Sequence, residues 1–262
     1  MELTGRAALV VAGVAAAVVA AGGAALAVGD PAVPSHPPEQ VASLPANGHS
    51  GATLEIRSGT PLLDIKVANL GGTSGTLLGA SVPGDAPRPE ITVASGDGRE
   101  RSGKDELVFL SATDGASAVT VTLNAAVTWR LDFAGGTQRT AADLRGGRVA
   151  AIAIVAGSDI VDLTLPRPRS TVPVLFSGGA SQFLLRLPGG VPVRVTAAGG
   201  AGEVSLDGAT HTGVGGGSVF ATPGWAPGAA GAPGRVVWVR FSPATGWRPR
   251  PPGRPRERPS RG

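Results

Sequence analysis

Five segments between Gly115 and Gly208 repeat one pattern, and this repeat limits the possible folds more than any other feature of the chain. Each opens on a glycine: GASAVTVTL from Gly115, GTQRTAADL from Gly136, GSDIVDLTL from Gly157, GASQFLLRL from Gly179 and GAGEVSLDG from Gly200. Successive starts lie 21, 21, 22 and 21 residues apart. Positions four, six and eight after the glycine are apolar in most copies. They are Val119, Val121 and Leu123; Thr140, Ala142 and Leu144; Val161, Leu163 and Leu165; Phe183, Leu185 and Leu187; and Val204 and Leu206. Alternation at every second residue puts one row of side chains on one face of a strand. A fixed period of this size marks stacked units. Burying three such side chains gives about 5–9 kcal/mol gross, less than the entropy lost when some twenty residues are fixed. One unit cannot stand alone, and stacking supplies the missing burial and backbone hydrogen bonds.

A second apolar run falls in each period: Val127 to Phe133, Val149 to Val155, Val172 to Phe176 and Val191 to Val195. Two strands per coil give two facing sheets, or three sheets if a short third strand is present. The expected fold is therefore all-β: a single-domain β-solenoid, a flattened β-helix with coils of about 21 residues, behind an N-terminal hydrophobic helix. The glycines would turn the corners, because glycine tolerates positive φ. An antiparallel sandwich with evenly spaced strands is the alternative.

The ends of the chain differ from this body. Residues 1–30 read as a signal peptide or membrane anchor. Ala7 to Gly29 carries no charge and is long enough to cross a hydrocarbon core of about 30 Å. Ala25-Leu26-Ala27 fits a small-x-small cleavage site. Arg6 before the run and Asp30 after it place the body outside the membrane. The expected location is thus the outer face of the cytoplasmic membrane, or secretion. Residues 31–52, with Pro31, Pro34, Pro37, Pro38 and Pro45, read as a linker. His36 and His49 lie there without a third metal ligand. Residues 53–245 form the predicted β-solenoid domain, whose first strands LEIRS, LLDIKVANL, EITVAS and ELVFLSA are split by glycine-rich turns. Residues 246–262 hold six arginines, one glutamate and five prolines, a composition that predicts a disordered tail. The total charge is +4, so this tail accounts for the basicity and the rest is close to neutral. An anionic wall polymer or membrane surface is the expected partner of the tail, the membrane that of the N-terminal helix. Nucleic acid is not expected.

The run IVDLTLPRPRSTVPVLFSGGASQFLLRLPGGVPVRVTAAGGAGEVSLDGATHTGVGGG, followed by ATPGW, resembles a group of actinobacterial exported or membrane-anchored proteins. These are similar to the bacterial putative-adhesin domains that form β-solenoids. The resemblance spans roughly Thr53 to Phe241. It implies a surface role and names neither a ligand nor catalytic residues.

Residue chemistry points the same way. There is no cysteine, hence no disulfide or thiol nucleophile. His211 is flanked by threonines and no carboxylate is positioned beside it. Asp159, Asp162 and Glu203 could align on neighbouring repeats, but they do not recur at one repeat position. GVGGGS lacks the lysine of a phosphate loop. No catalytic, cofactor or metal residue is expected. Trp225, Trp238 and Trp247 cluster late in the chain; they cap the core or form a platform on which sugar rings stack. The reading is a non-catalytic cell-envelope protein of adhesin-like type. A carbohydrate-binding module is the first alternative and a polysaccharide-acting β-helix enzyme the second.

Overall fold

The computed structural model describes residues 7–12, 39–84, 86–94, 105–111, 116–223, 225 and 236–242. Among these residues the chain forms nineteen strands and one 3-10 turn at Gly72–Ser74. The strands are β1 (Ala7–Ala12), β2 (Gln40–Pro45), β3 (Gly51–Ile56), β4 (Thr60–Ala68), β5 (Thr76–Val82), β6 (Glu90–Val93), β7 (Asp105–Ser111), β8 (Ala118–Asn124), β9 (Thr128–Phe133) and β10 (Thr137–Asp143). They continue with β11 (Arg148–Ile154), β12 (Ser158–Thr164), β13 (Val172–Phe176), β14 (Ala180–Leu187), β15 (Val193–Ala197), β16 (Ala201–Leu206), β17 (Ala209–Val214), β18 (Ser218–Ala221) and β19 (Val237–Phe241). Two open sheets result. Sheet A runs β17-β16-β1-β14-β12-β10-β4-β8-β5-β2, and sheet B runs β18-β15-β19-β13-β11-β9-β3-β7-β6. The inner faces of both enclose one hydrophobic core.

Every repeat position read as inward is buried, from Val119 (3%) through Thr140 (3%) and Val161 (0%) to Phe183 (1%) and Leu206 (7%). A three-residue arc joins β9 to β10, β11 to β12 and β13 to β14, so each pair lays one strand in each sheet. We call such a pair a rung. These three rungs stack directly and in parallel. In sheet A, Thr140 lies opposite Val161 and Val161 opposite Phe183. In sheet B, Leu131 lies opposite Ile152 and Ile152 opposite Val174. A bulge near Ala150 absorbs one residue in β11 and restores the common register.

Sequence neighbours do not stack throughout, contrary to the simple pile of consecutive coils. The β3–β4 rung is inserted between β7–β8 and β9–β10, parallel to both. Between β13–β14 and β15–β16 lies a rung built from the two ends of the chain. Sheet B receives β19 in parallel orientation, and sheet A receives β1 antiparallel. The stack ends in antiparallel strands on both sides: β5, β2 and β6 at one end, β17 and β18 at the other. Short antiparallel edge strands are one way of covering an open parallel stack.

Two readings of the N-terminal region change. The expected hydrophobic helix is not seen in its described part, since Ala7–Ala12 is a strand. Residues 13–38 lie outside the described residues. The stretch 31–52, read as linker, contains β2 and the start of β3. Alternation of Val41, Ser43 and Pro45 with Ala42 and Leu44 lets β2 pair with β5 despite its proline, which sits at the strand's end beside a register shift. No helix among the described residues is long and apolar enough to cross a membrane. The tail 246–262 lies outside the described residues.

The corners explain the glycines. At the arcs leading into sheet A, the Thr60, Thr137 and Ser158 amides donate to the Gly136, Gly157 and Gly179 carbonyls of the next rung at 3.2, 3.1 and 2.9 Å. Backbones approach so closely that a Cβ on Gly178 would lie 1.9 Å from the Ala156 carbonyl oxygen, and one on Gly135 2.1 Å from that of Ser58. Neither glycine has positive φ; space alone excludes a side chain. Hydroxyls finish the corner: Thr137 bonds Ser158 at 2.8 Å and Thr140 at 2.7 Å. Deeper in, Phe176, Phe183 and Phe241 meet edge-on or tilted, 5.2–5.6 Å apart. We expect Gly178→Ala to cost about 2–3 kcal/mol in urea unfolding, in the upper range for overpacked sites. Gly179→Ala, one residue along and with nothing within 4 Å of its Cβ, should change stability by less than about 0.5 kcal/mol.

Candidate functional site

The tryptophans separate into two kinds. Trp129, on β9, is 1% exposed and belongs to the core. Its indole N–H donates to the Asn124 carbonyl at 3.0 Å. Asn124 is itself buried and fully engaged, donating to the Gly72 and Thr76 carbonyls and accepting from the Ala126 amide. Trp238 and Trp225 lie elsewhere. Trp238 alternates with the buried Val237 and Val239, so it projects from the outer face of sheet B. Its register partners are Pro173 on β13 and Arg194 on β15. The Arg194 guanidinium in turn lies 5.9 Å from the ring centre of Trp225, within cation–π range. Trp225 is held by Thr222, whose carbonyl accepts the Trp225 amide and whose hydroxyl accepts the Val193 amide. Two of the three tryptophans singled out in the sequence thus gather around one arginine. Trp247 lies outside the described residues. The Trp238 indole nitrogen is buried without a hydrogen-bond partner among the described residues, an arrangement that usually costs about 1–3 kcal/mol.

Two concavities lie apart from these side chains, with none of Trp225, Trp238 and Arg194 in their walls. The larger, about 670 Å³, is a shallow groove along the glycine corners, lined by Thr60, Thr137, Ser158, Ser181 and neighbouring glycines. Among the described residues Asp159 is the only titratable group on its wall. The smaller, about 220 Å³, lies at the start of β9, β11, β13 and β19 and is lined by Arg148, Arg167 and Arg169. Sequence reading passed over both Arg194 and these three arginines. The 22-residue step of the repeat and the PRPR run were the available signals.

The acids do not converge. Asp162 is ion-paired with Arg186 on the adjacent strand. Glu203 on β16 is three strand spacings from β12, about 14 Å at 4.7–4.9 Å each. His211 on β17 is exposed and packs against Phe220, ring centres 4.7 Å apart. Among the described residues no group of three or more His, Cys, Asp or Glu could hold a metal ion. Two carboxyls are perturbed: burial pushes Asp132 up, with Arg130 opposing and Glu55, its register partner on β3, adding to the rise, while the side-chain hydrogen bond from Arg145 holds Asp143 below the ordinary carboxylate value.

The architecture has a known counterpart. It is similar to that of a putative cell adhesion protein from Clostridium sporogenes. The two chains are 18% identical, with a TM-score of 0.52 over 78% of this chain and 94% of that one. At this identity the likeness concerns the fold alone. No family profile and no curated protein sequence matches the chain.

Trp129→Phe should destabilise by about 1–3 kcal/mol, because the buried Asn124 carbonyl loses one of its two donors, keeping only the Val127 amide at 3.2 Å, and a gap opens. Trp238→Phe should cost less in the same denaturant titration, since it deletes a buried N–H that has no partner among the described residues. For Asp132, the raised folded pKa means that the native state holds more protons than the unfolded state between the ordinary value of 3.8 and the raised one. Stability therefore falls as pH rises through that window. Asp132→Asn should raise Tm at pH 7 and leave it nearly unchanged at pH 3, where both forms are neutral.

Proposed function

We propose that this protein is a non-catalytic, cell-envelope surface protein of adhesin-like type, with the stacked rungs forming a β-solenoid of the kind found in exported actinobacterial proteins. The observation that carries this reading is the fold shared with the C. sporogenes putative cell adhesion protein across nearly all of that chain. The chain's N-terminal hydrophobic run and its cysteine-free composition are compatible with export. In this reading residues 1–30 deliver the body to the outer face of the membrane, as a cleaved signal or an anchor, a state in which Ala7–Ala12 does not occupy its place between β14 and β16. The arginine-rich tail adds attraction to anionic envelope polymers.

Carbohydrate binding is the second reading, favoured by the Trp225–Arg194–Trp238 cluster. Indole faces stack on sugar rings, and a guanidinium between them donates to hydroxyls.

Fractionation of cells expressing the full chain should place it with membrane or wall, open to protease added from outside; recovery in the cytosol overturns the surface reading. The absence of native cysteine allows a cleaner probe of the N-terminus. Val10 and Ser205 are register partners, so Val10→Cys/Ser205→Cys should form a disulfide when β1 is docked. The same thiols should stay reduced in any population whose first thirty residues sit in the membrane. Trp225→Ala and Trp238→Ala should each lower wall-glycan affinity at least tenfold with the fold intact; unchanged affinity removes the platform reading.

A further inference from the structure

The connection between β12 and β13, residues 165–171 (LPRPRST), breaks the repeat. From β10 to β12 the register step is 21 residues and from β12 to β14 it is 22. Sheet B lengthens in the same way, from Leu131–Ile152 to Ile152–Val174. The added residue therefore belongs to this arc, where Pro166 and Pro168 stiffen the backbone. The longer arc walls the 220 Å³ pocket with Arg167 and Arg169, facing Arg148 at the start of β11, above the buried Val172.

Two of these arginines are fixed in place. Arg148 Nη1 donates to the Ala126 carbonyl at 3.0 Å, in the turn before β9. Arg167 Nη2 donates to the Gly189 carbonyl at 2.8 Å, in the turn before β15. Each hold uses one of five N–H donors and leaves the others available. No carboxylate among the described residues lines the pocket, and the ion pairs among them involve other arginines: Arg57, Arg145 and Arg186. Three like charges gathered without a counterion repel one another. The body outside the tail is close to neutral, so this clustering is local rather than a consequence of general basicity.

We propose that this pocket binds an oxyanion carried on a single sugar-sized unit: the carboxylate of a uronate or the phosphate of a polyol in an anionic polymer. Guanidinium forks match both groups. The volume falls below the range of about 300–1,000 Å³ for larger ligands, so one unit fits and a longer chain leaves through the open side. The inference borrows from the surface reading only the polymer's location, and nothing from the tryptophan cluster.

The test is calorimetric titration of the full chain at about 0.15 M salt, where long-range attraction is screened. The probes are trigalacturonate, glycerol 1-phosphate, inorganic phosphate and the neutral maltotriose. Either trigalacturonate or glycerol 1-phosphate should bind one to one, which identifies the source of the anion, and maltotriose should not bind. Arg167→Gln/Arg169→Gln should weaken that binding at least tenfold. Arg169→Gln alone, which removes no hydrogen bond between described residues, should weaken it severalfold and guards against misfolding of the double variant. Arg145→Gln should keep full affinity, as should replacement of the tail arginines Arg248, Arg250, Arg254, Arg256, Arg258 and Arg261 by glutamine. The proposal fails if neither sugar-like anion binds, if inorganic phosphate binds as tightly as either, or if the tail variant loses binding while the pocket variants retain it. A cytosolic protein that still binds trigalacturonate through Arg169 would overturn the surface reading and leave the pocket standing.

Discussion

Simultaneous backbone pairing in two sheets is the constraint on which this structure depends. Each rung must meet its neighbours in sheet A and in sheet B with one register, and in β3–β4, β9–β10, β11–β12, β13–β14 and β15–β16 a three-residue arc fixes the relation between the two strands. The corner amides of Thr60, Thr137 and Ser158 continue the ladder across the arcs, so no break in pairing separates the sheets there. Such a ladder tolerates no Cβ where one arc lies on the next. Gly135 and Gly178 therefore answer to space rather than to torsion. Because the same constraint repeats at each rung, the inward side chains align and the core becomes one column instead of several clusters.

The order of the rungs shows how much of the pairing is non-local. Residues 51–68 form the rung between 105–124 and 128–143, so the chain adds material on both sides of an early-sequence centre. The rung made of β1 and β19 brings residue 7 and residue 241 into one layer. β19 keeps β13 and β15 two spacings apart in sheet B, and β1 fills the matching place in sheet A. Without β1, the facing edges of β14 and β16 would each expose a row of unpaired backbone groups, which is costly wherever water cannot replace them. Contacts of such long sequence separation are associated with slow folding.

For the candidate sites, legibility followed chemistry that depends on one residue. The tryptophans were visible as large amphipathic side chains, and two of the three do share a surface. Nothing in their spacing distinguished them from Trp129, whose indole serves the core through Asn124. The distinction comes from phase: Trp129 falls on the inward parity of β9, whereas Trp238 falls on the outward parity of β19. Arg194 was invisible for the same reason, since its neighbours on either side come from distant parts of the chain. The arginine pocket left a faint trace in the 22-residue step, but Arg148 joins it from another repeat and only stacking brings the three together.

The sequence by itself determined the strand character of the repeat, the inward face of each repeat strand and the place of the corners, but not the strands β1 and β2 in the stretches read as helix and linker. Alternation and glycine spacing are local properties, and burial of Val119, Val161 and Phe183 in one core follows from them. It did not determine which strand lies beside which. Parallel strands with alternating apolar side chains are nearly interchangeable as neighbours, so the insertion of β3–β4, β19 and β1 was decided by tertiary structure. There, arc length, shared register and the demand that each backbone edge find a partner select one order among many that the pattern would permit.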